Sequence, residues 1–400
     1  MRAIIVLLCF FVSFGFCFVS CRPLDGEPEQ AHFKDEISEI KEAYAPDKQV
    51  ALFQIAPEKQ GKIYVLKGES NLPEAVSALK EKLTAKNISY VDSVQLLPNA
   101  DLAGKTKGLI TISVANLRSN PKHSAELATQ ATLGTPVNVL KRDGEWYLIQ
   151  TPDRYLAWVD HGGIVLMDEN QWKGWKTGPK VMFTETYGQA YETPADNTKP
   201  ISDLVAGNVL QLLEEQEGYY KVQFPDARIG YINMVAAVLY EEWLKGADNG
   251  VEGLVRTSKR FMGLPYLWGG TSSKGVDCSG YTKTIFFLNG MVIPRDASQQ
   301  VHTGTLVDTL KNFDALQKGD LLFFGRKATD STAEKVVHVG MWIGNNEFIH
   351  SSGKVHVSSM DDTAENFDAF NKDRYLRTKR LWKQEGQGLL QLSQASVFRD

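Results

Sequence analysis

Cysteine is scarce in this 400-residue chain: there are four, and three of them (Cys9, Cys17 and Cys21) fall at the N-terminus. Beyond residue 22 Cys278 stands alone, so the body of the protein carries a single thiol. Histidine is also sparse, at seven, and neither HExxH nor paired CxxC spacing occurs, so no metal and no cofactor is expected. The net charge is −4, with no basic stripe interleaved with aromatics, which leaves no footing for nucleic-acid binding. What remains is ordinary: 23% charged and 43% hydrophobic residues, as in soluble globular proteins, with length enough for about two to four domains.

The N-terminus departs from that pattern. MRAIIVLLCFFVSFGFCFVSC has one Arg, an apolar run from Ala3 to Val19, and a small Ser20 before Cys21. These are the parts of a secretory signal over residues 1–21, although the run is also borderline for an uncleaved membrane anchor. The ending Phe18-Val19-Ser20-Cys21 resembles a bacterial lipoprotein signal. That resemblance implies lipidation of Cys21, export to the cell envelope, and anchoring in the periplasm or at the outer membrane, with membrane contact only through the lipid. An odd cysteine left in an exported protein is a candidate reactive thiol.

Residues 22–105 read as a small α+β unit. An amphipathic FKDEISEIKEAY precedes strand-like runs at 50–55 and 62–68. Leu72, Val76, Leu79 and Leu83 then recur at helical spacing over 71–86, with Asn71 as the expected cap and Pro73 in the first turn. A third apolar run, SYVDSVQLL, follows. Next comes an internal repeat. Pro121, Gly134, Tyr147, Pro152 and Asp153 recur 73 residues later as Pro194, Gly207, Tyr220, Pro225 and Asp226. Short alternating strands separated by turns predict two small β-barrels, at 106–168 and 178–240. They resemble bacterial SH3 (SH3b) domains, most clearly in ANLRSNPKHSAEL and GEWYLIQTPDRYLAWV.

The segment 246–383 carries the chemistry, and the tail 384–400 has no distinctive pattern. In GVDCSGYTKTIFF, Asp277 is a good N-cap, which puts Cys278 in the first turn of a helix, where free amides and the dipole favour a thiolate. A thiol nucleophile needs a base and an orienter. His32, His123 and His161 lie in other units, and His302 and His356 have undistinguished neighbours. His338 in KVVHVGMWIG and His350 in EFIHSSG fall on strands joined by the tight turn GNNE, so the pair fits base and orienter.

PYLWGG, DCSG, IPRDASQQ, GDLLFF, HVGMWIG and FIHSSG resemble the signature of the NlpC/P60 family of papain-like cysteine peptidases, over residues 250–382. The expected fold is therefore a multidomain α+β chain: small α+β unit, two SH3b barrels, and a C-terminal papain-like domain. The resemblance implies Cys278 as nucleophile, His338 as general base, His350 as third member and Tyr266 as an oxyanion partner. The whole architecture resembles enzymes that cut between γ-D-Glu and the diamino acid of peptidoglycan stem peptides with a free N-terminal L-Ala. It then implies Asp277 as partner of the substrate amine, Ser279 and Ser298 beside the peptide, and Glu126 and Tyr155 contributed by the first barrel. Each has a plainer reading: Asp277 as a cap, Glu126 as a solvated turn residue, Tyr155 as a barrel-core aromatic, Arg295 and Asp296 as a local salt bridge. The expected partner is the stem peptide and the expected state a monomer. A broader hydrolase of intact peptidoglycan and a wall-binding SH3b lipoprotein remain as alternatives.

Overall fold

In the computed structural model, residues 27–247, 250–386 and 388–400 are described. The signal-like segment and Cys21 lie outside the described residues. Helix Glu27–Tyr44 buries Phe33 and Ile40 at helical spacing against a three-stranded sheet. Strands Phe53–Gln60 and Ile63–Ser70 pair antiparallel, and Val91–Leu96 joins in parallel after helix Pro73–Ala85. A parallel neighbour requires such a crossover, and Ala75, Val76, Leu79 and Leu83 seat it on the sheet. Pro73 occupies the first turn as expected, but Asn71 is not the cap. Its side chain accepts from Leu52 N at 2.7 Å, and Ser70 Oγ accepts the amide of Leu72 at 3.0 Å. A tertiary partner has taken the side chain that local propensity assigned to the helix end.

The repeat becomes two sheets of seven strands with one topology. In the first, Lys107–Ile110, Val114–Arg118, Leu127–Thr132, Pro136–Asp143, Trp146–Gln150, Leu156–Asp160 and Ile164–Met167 follow in sequence. In the second, strands begin 73 residues later at Lys180, Tyr187, Pro200, Val209, Tyr219, Ile229 and Ala237. Alternation does the folding: in Leu156–Asp160 only Ala157 and Val159 point fully inward. Gly134 and its repeat-mate Gly207 both turn with positive φ, at 80° and 91°. A Cβ on Gly134 would lie 1.9 Å from Val209 O of the second barrel, and one on Gly207 would lie 2.8 Å from the Phe287 ring of the C-terminal unit. The same turn thus carries each barrel to the next body.

The C-terminal unit sets helices Gly250–Arg260 and Cys278–Leu288 against a six-stranded antiparallel sheet. Tyr281 and Ile285 of the second helix pack with Phe323, Val339, Met341 and Ile349 of the sheet in one buried core. The tail is held by this unit together with Lys176 and Tyr240 from outside it. Leu390–Gln391 pairs with Met291–Val292, Phe398 is buried beside Tyr240 and Phe287, and Lys176 Nζ donates to Ser396 O at 2.7 Å. Among the described residues no helix is long and apolar enough to cross a membrane.

Candidate active site

Cys278 is the first residue of its helix, and Asp277 caps it, accepting from Gly280 N at 2.7 Å. Glycine is required at 280, because a Cβ there would lie 1.9 Å from Gly270 O. The helix start can therefore press against the Gly269–Gly270 backbone. As first residue, Cys278 has an amide with no intrahelical partner, which leaves it free to meet developing negative charge. The thiol itself does not behave as placement alone predicts. Burial pushes Cys278 up to about 11, with the Asp277 carboxylate adding to the rise, while the amides of Val339 and Ser279 act in the opposite direction. Desolvation outweighs the helix terminus.

The two histidines meet as the turn requires. Asn345 and Asn346 both have positive φ (55° and 58°), the geometry of a two-residue hairpin that sets Glu347–Ser352 beside Lys335–Gly344. His338 Nε2 lies 2.7 Å from His350 Nδ1, and His350 Nε2 lies 3.1 Å from Ser358 Oγ. This leaves Nδ1 of His338 for the thiol, which already contacts the amide of the next residue, Val339. With that Nδ1 as acceptor, His338 donates from Nε2 to His350, and His350 donates from its own Nε2 to Ser358. Burial depresses His338 to about 3, and lowers His350 as well. Burial thus favours the neutral form of both the thiol and the imidazole. His356, undistinguished in sequence, packs against His350 in a tilted arrangement with ring centroids 4.4 Å apart.

Asp277 is engaged differently from expectation. Arg295, 2% exposed, reaches its two oxygens at 2.6 and 3.2 Å, and Gly269 N donates to it at 2.9 Å. Arg295 also donates to Ser279 Oγ at 3.0 Å and Thr129 Oγ1 at 2.9 Å. The local Arg295–Asp296 bridge is the weaker contact, at 3.9 Å. Asp277 therefore compensates a buried guanidinium, and its lone pairs are occupied. The expected contact of Asp277 with a substrate amine would have to be made in competition with Arg295.

Asp296, expected only as the salt-bridge partner of Arg295, has that guanidinium no nearer than 3.9 Å. Tyr155, 2% exposed, belongs to the first barrel's core, yet its hydroxyl donates across the domain boundary to Asp296 Oδ2 at 3.3 Å. The ring lies in the barrel core, as the plainer reading has it, while the hydroxyl reaches out of the barrel. Burial raises the Asp296 carboxyl above its ordinary value, with Arg295 opposing. Glu126 is exposed and accepts from the indole of Trp268, in the PYLWGG run, at 2.7 Å. These residues line one cleft of about 920 Å³ with Cys278, Ser279, Ser298 and Tyr266. Ser298 is exposed, whereas Ser279 is buried under Arg295. Tyr266 is half-buried, and burial together with the nearby Cys278 pushes its hydroxyl up to about 12, so it stays a hydrogen-bond donor. Among the described residues no cluster of His, Cys, Asp or Glu is placed to hold a metal ion.

Comparison with known proteins identifies the families of two segments of the chain. Residues 263–372 match the NlpC/P60 family and residues 113–165 the bacterial SH3 domain. A gamma-D-glutamyl-L-lysine dipeptidyl-peptidase of Bacillus cereus is 33% identical over 241 residues, covering 56% of this chain and 67% of the relative. Dipeptidyl-peptidase 6 of Lysinibacillus sphaericus is 27% identical over 270 residues, covering 64% and 92%. Among solved structures, an NlpC/P60 family protein from Bacillus cereus superposes with a TM-score of 0.58 at 27% identity, covering 68% of this chain and 99% of that one.

Proposed function

Since the chain belongs to the NlpC/P60 family of cysteine peptidases, we propose that it cleaves peptidoglycan stem peptides between γ-D-Glu and the diamino acid, and that it requires a free N-terminal L-Ala. Cys278 Sγ attacks the γ-carbonyl carbon while its proton passes to His338 Nδ1. The oxyanion is met by the amide of Cys278 and the hydroxyl of Tyr266. The C–N bond then breaks, His338 returns the proton to the leaving amine, and a thioester remains. Water, deprotonated by His338, attacks the thioester; L-Ala-γ-D-Glu departs and the thiol is restored. His350 orients the base and fixes its tautomer.

The observation that carries the specificity is the Tyr155–Asp296 contact beside Glu126 in the cleft of Cys278. An ammonium group placed there meets carboxylates rather than water, while an acylated amine would leave Asp296 desolvated and unpaired. Ser279, held by Arg295, and Ser298 at the rim then lie beside the peptide. Such a substrate places the enzyme in the cell envelope, and the signal-like segment ending in Cys21 supports export with a lipid anchor.

The test compares L-Ala-γ-D-Glu-diaminopimelate with its N-acetylated form, following products by mass spectrometry. Only the free peptide is expected to be cut, and Cys278→Ala is expected to be inactive on it. Equal cleavage of both would discard amine selection and favour a hydrolase of intact wall. Full activity of Cys278→Ala would discard the mechanism.

A further inference from the structure

The Tyr155–Asp296 contact joins two domains through one hydroxyl–carboxyl pair, and a third unit touches both sides of it. After helix Glu27–Tyr44 the chain turns at Asp47. Asp47 Oδ2 accepts from Gln299 Nε2 at 2.6 Å, and Gln299 Oε1 accepts the amide of Asp296 at 3.0 Å. Two residues on, Gln49 O accepts the amide of Leu156, Tyr155's neighbour, at 2.7 Å. The turn is itself braced: Asp47 Oδ1 accepts from Gln49 N at 2.8 Å, and Asp47 O accepts from Val50 and Ala51 at 3.3 and 3.1 Å. Lys41, Lys48 and Gln49 face the same cleft as Cys278.

We propose that this turn is a clamp holding Asp296 and Tyr155 in register across the barrel–peptidase boundary, which makes the N-terminal unit a specificity element of the active site. Asp47 acts as a positioning residue through Gln299. The proposal rests on the reading of Asp296 as the acceptor of the substrate ammonium. Attachment of the unit does not depend on Asp47, because Asn99 N donates to Leu140 O at 2.8 Å and Lys141 pairs with Glu69 at 2.5 Å. Removing the Asp47 side chain therefore loosens the clamp without releasing the unit.

The experiment uses the full chain with the free and N-acetylated tripeptides. Asp47→Ala is expected to raise KM for the free peptide about tenfold, the scale of one lost charge-assisted hydrogen bond, with kcat within about twofold and the melting temperature unchanged. Asp47→Asn keeps one acceptor oxygen for the two donors Gln299 Nε2 and Gln49 N, so its KM is expected to recover in part, to between Asp47→Ala and the unaltered chain. Asp296→Asn serves as the control and is expected to abolish the preference for the free amine. If Asp296→Asn abolishes the preference while Asp47→Ala leaves KM unchanged, the clamp is wrong and the amine site stands. If Asp296→Asn leaves the preference intact, the underlying reading fails. An equal loss on both peptides with a lowered melting temperature, or no recovery in Asp47→Asn, would also overturn the clamp.

Discussion

Replacing Arg295 by Met separates two accounts of Asp277. In the structure Arg295 supplies two of the hydrogen bonds to that carboxylate, at 2.6 and 3.2 Å, and its own side chain is 1% exposed. Arg295→Met keeps most of the volume but leaves a buried carboxylate with only the Gly280 and Gly269 amides and a long contact from Ser279 Oγ at 3.4 Å. Breaking a buried ion pair from one side costs about 3–5 kcal/mol. For a unit of this size, at about 3 °C per kcal/mol, the melting temperature should fall by about 10–15 °C. The assay is thermal exposure of Cys278 to a thiol reagent in the full chain, read by mass spectrometry of the Cys278 peptide, which reports on this domain rather than on the barrels or the N-terminal cysteines. Adding Asp277→Asn removes the orphaned charge, so the double variant should recover more than half of the loss. If Arg295→Met costs less than about 1 kcal/mol, or if the two substitutions simply add, the carboxylate is not committed to Arg295 and the amine assignment of Asp277 returns.

Two further predictions concern the reacting groups. With Cys278 pushed up to about 11, its alkylation by iodoacetamide should climb about tenfold per pH unit from pH 6 to 9; a plateau beginning near pH 6 would reveal a preformed thiolate–imidazolium pair instead. His350→Ala removes the acceptor 2.7 Å from His338 Nε2, so kcat should drop about a hundredfold or more with KM little changed; retention of kcat would show that Ser358 and His356 orient nothing through it.

Much of the site could be read from sequence because its signals are local. The cap at Asp277 is followed at once by the thiol, and the two histidines, twelve residues apart, flank a single two-Asn turn. The two barrels were equally legible, since a gapless repeat shows alternation twice. What escaped is long-range. Asp296 gains its meaning from Tyr155, 141 residues away, and Gln299 from Asp47, 252 residues away. Arg295 chose Asp277 over its own neighbour because both groups are buried together and only that geometry is bidentate. The thiol's acidity was misjudged for a related reason: helix position is visible in sequence, but the depth at which it sits is not.

The glycine turns at 134 and 207 bear on how such a chain can grow. Each barrel offers the same face to whatever follows it, so head-to-tail stacking is open-ended, and another 73-residue module could be spliced in with its neighbours satisfied. The bonds that join Tyr155 to Asp296, Thr129 to Arg295 and Glu126 to Trp268 are of another kind, since they skip the second barrel and tie the first directly to the peptidase. A third module would keep every nearest-neighbour contact and carry Tyr155 out of reach. Contacts that neither repeat makes with the other thus oppose a third copy.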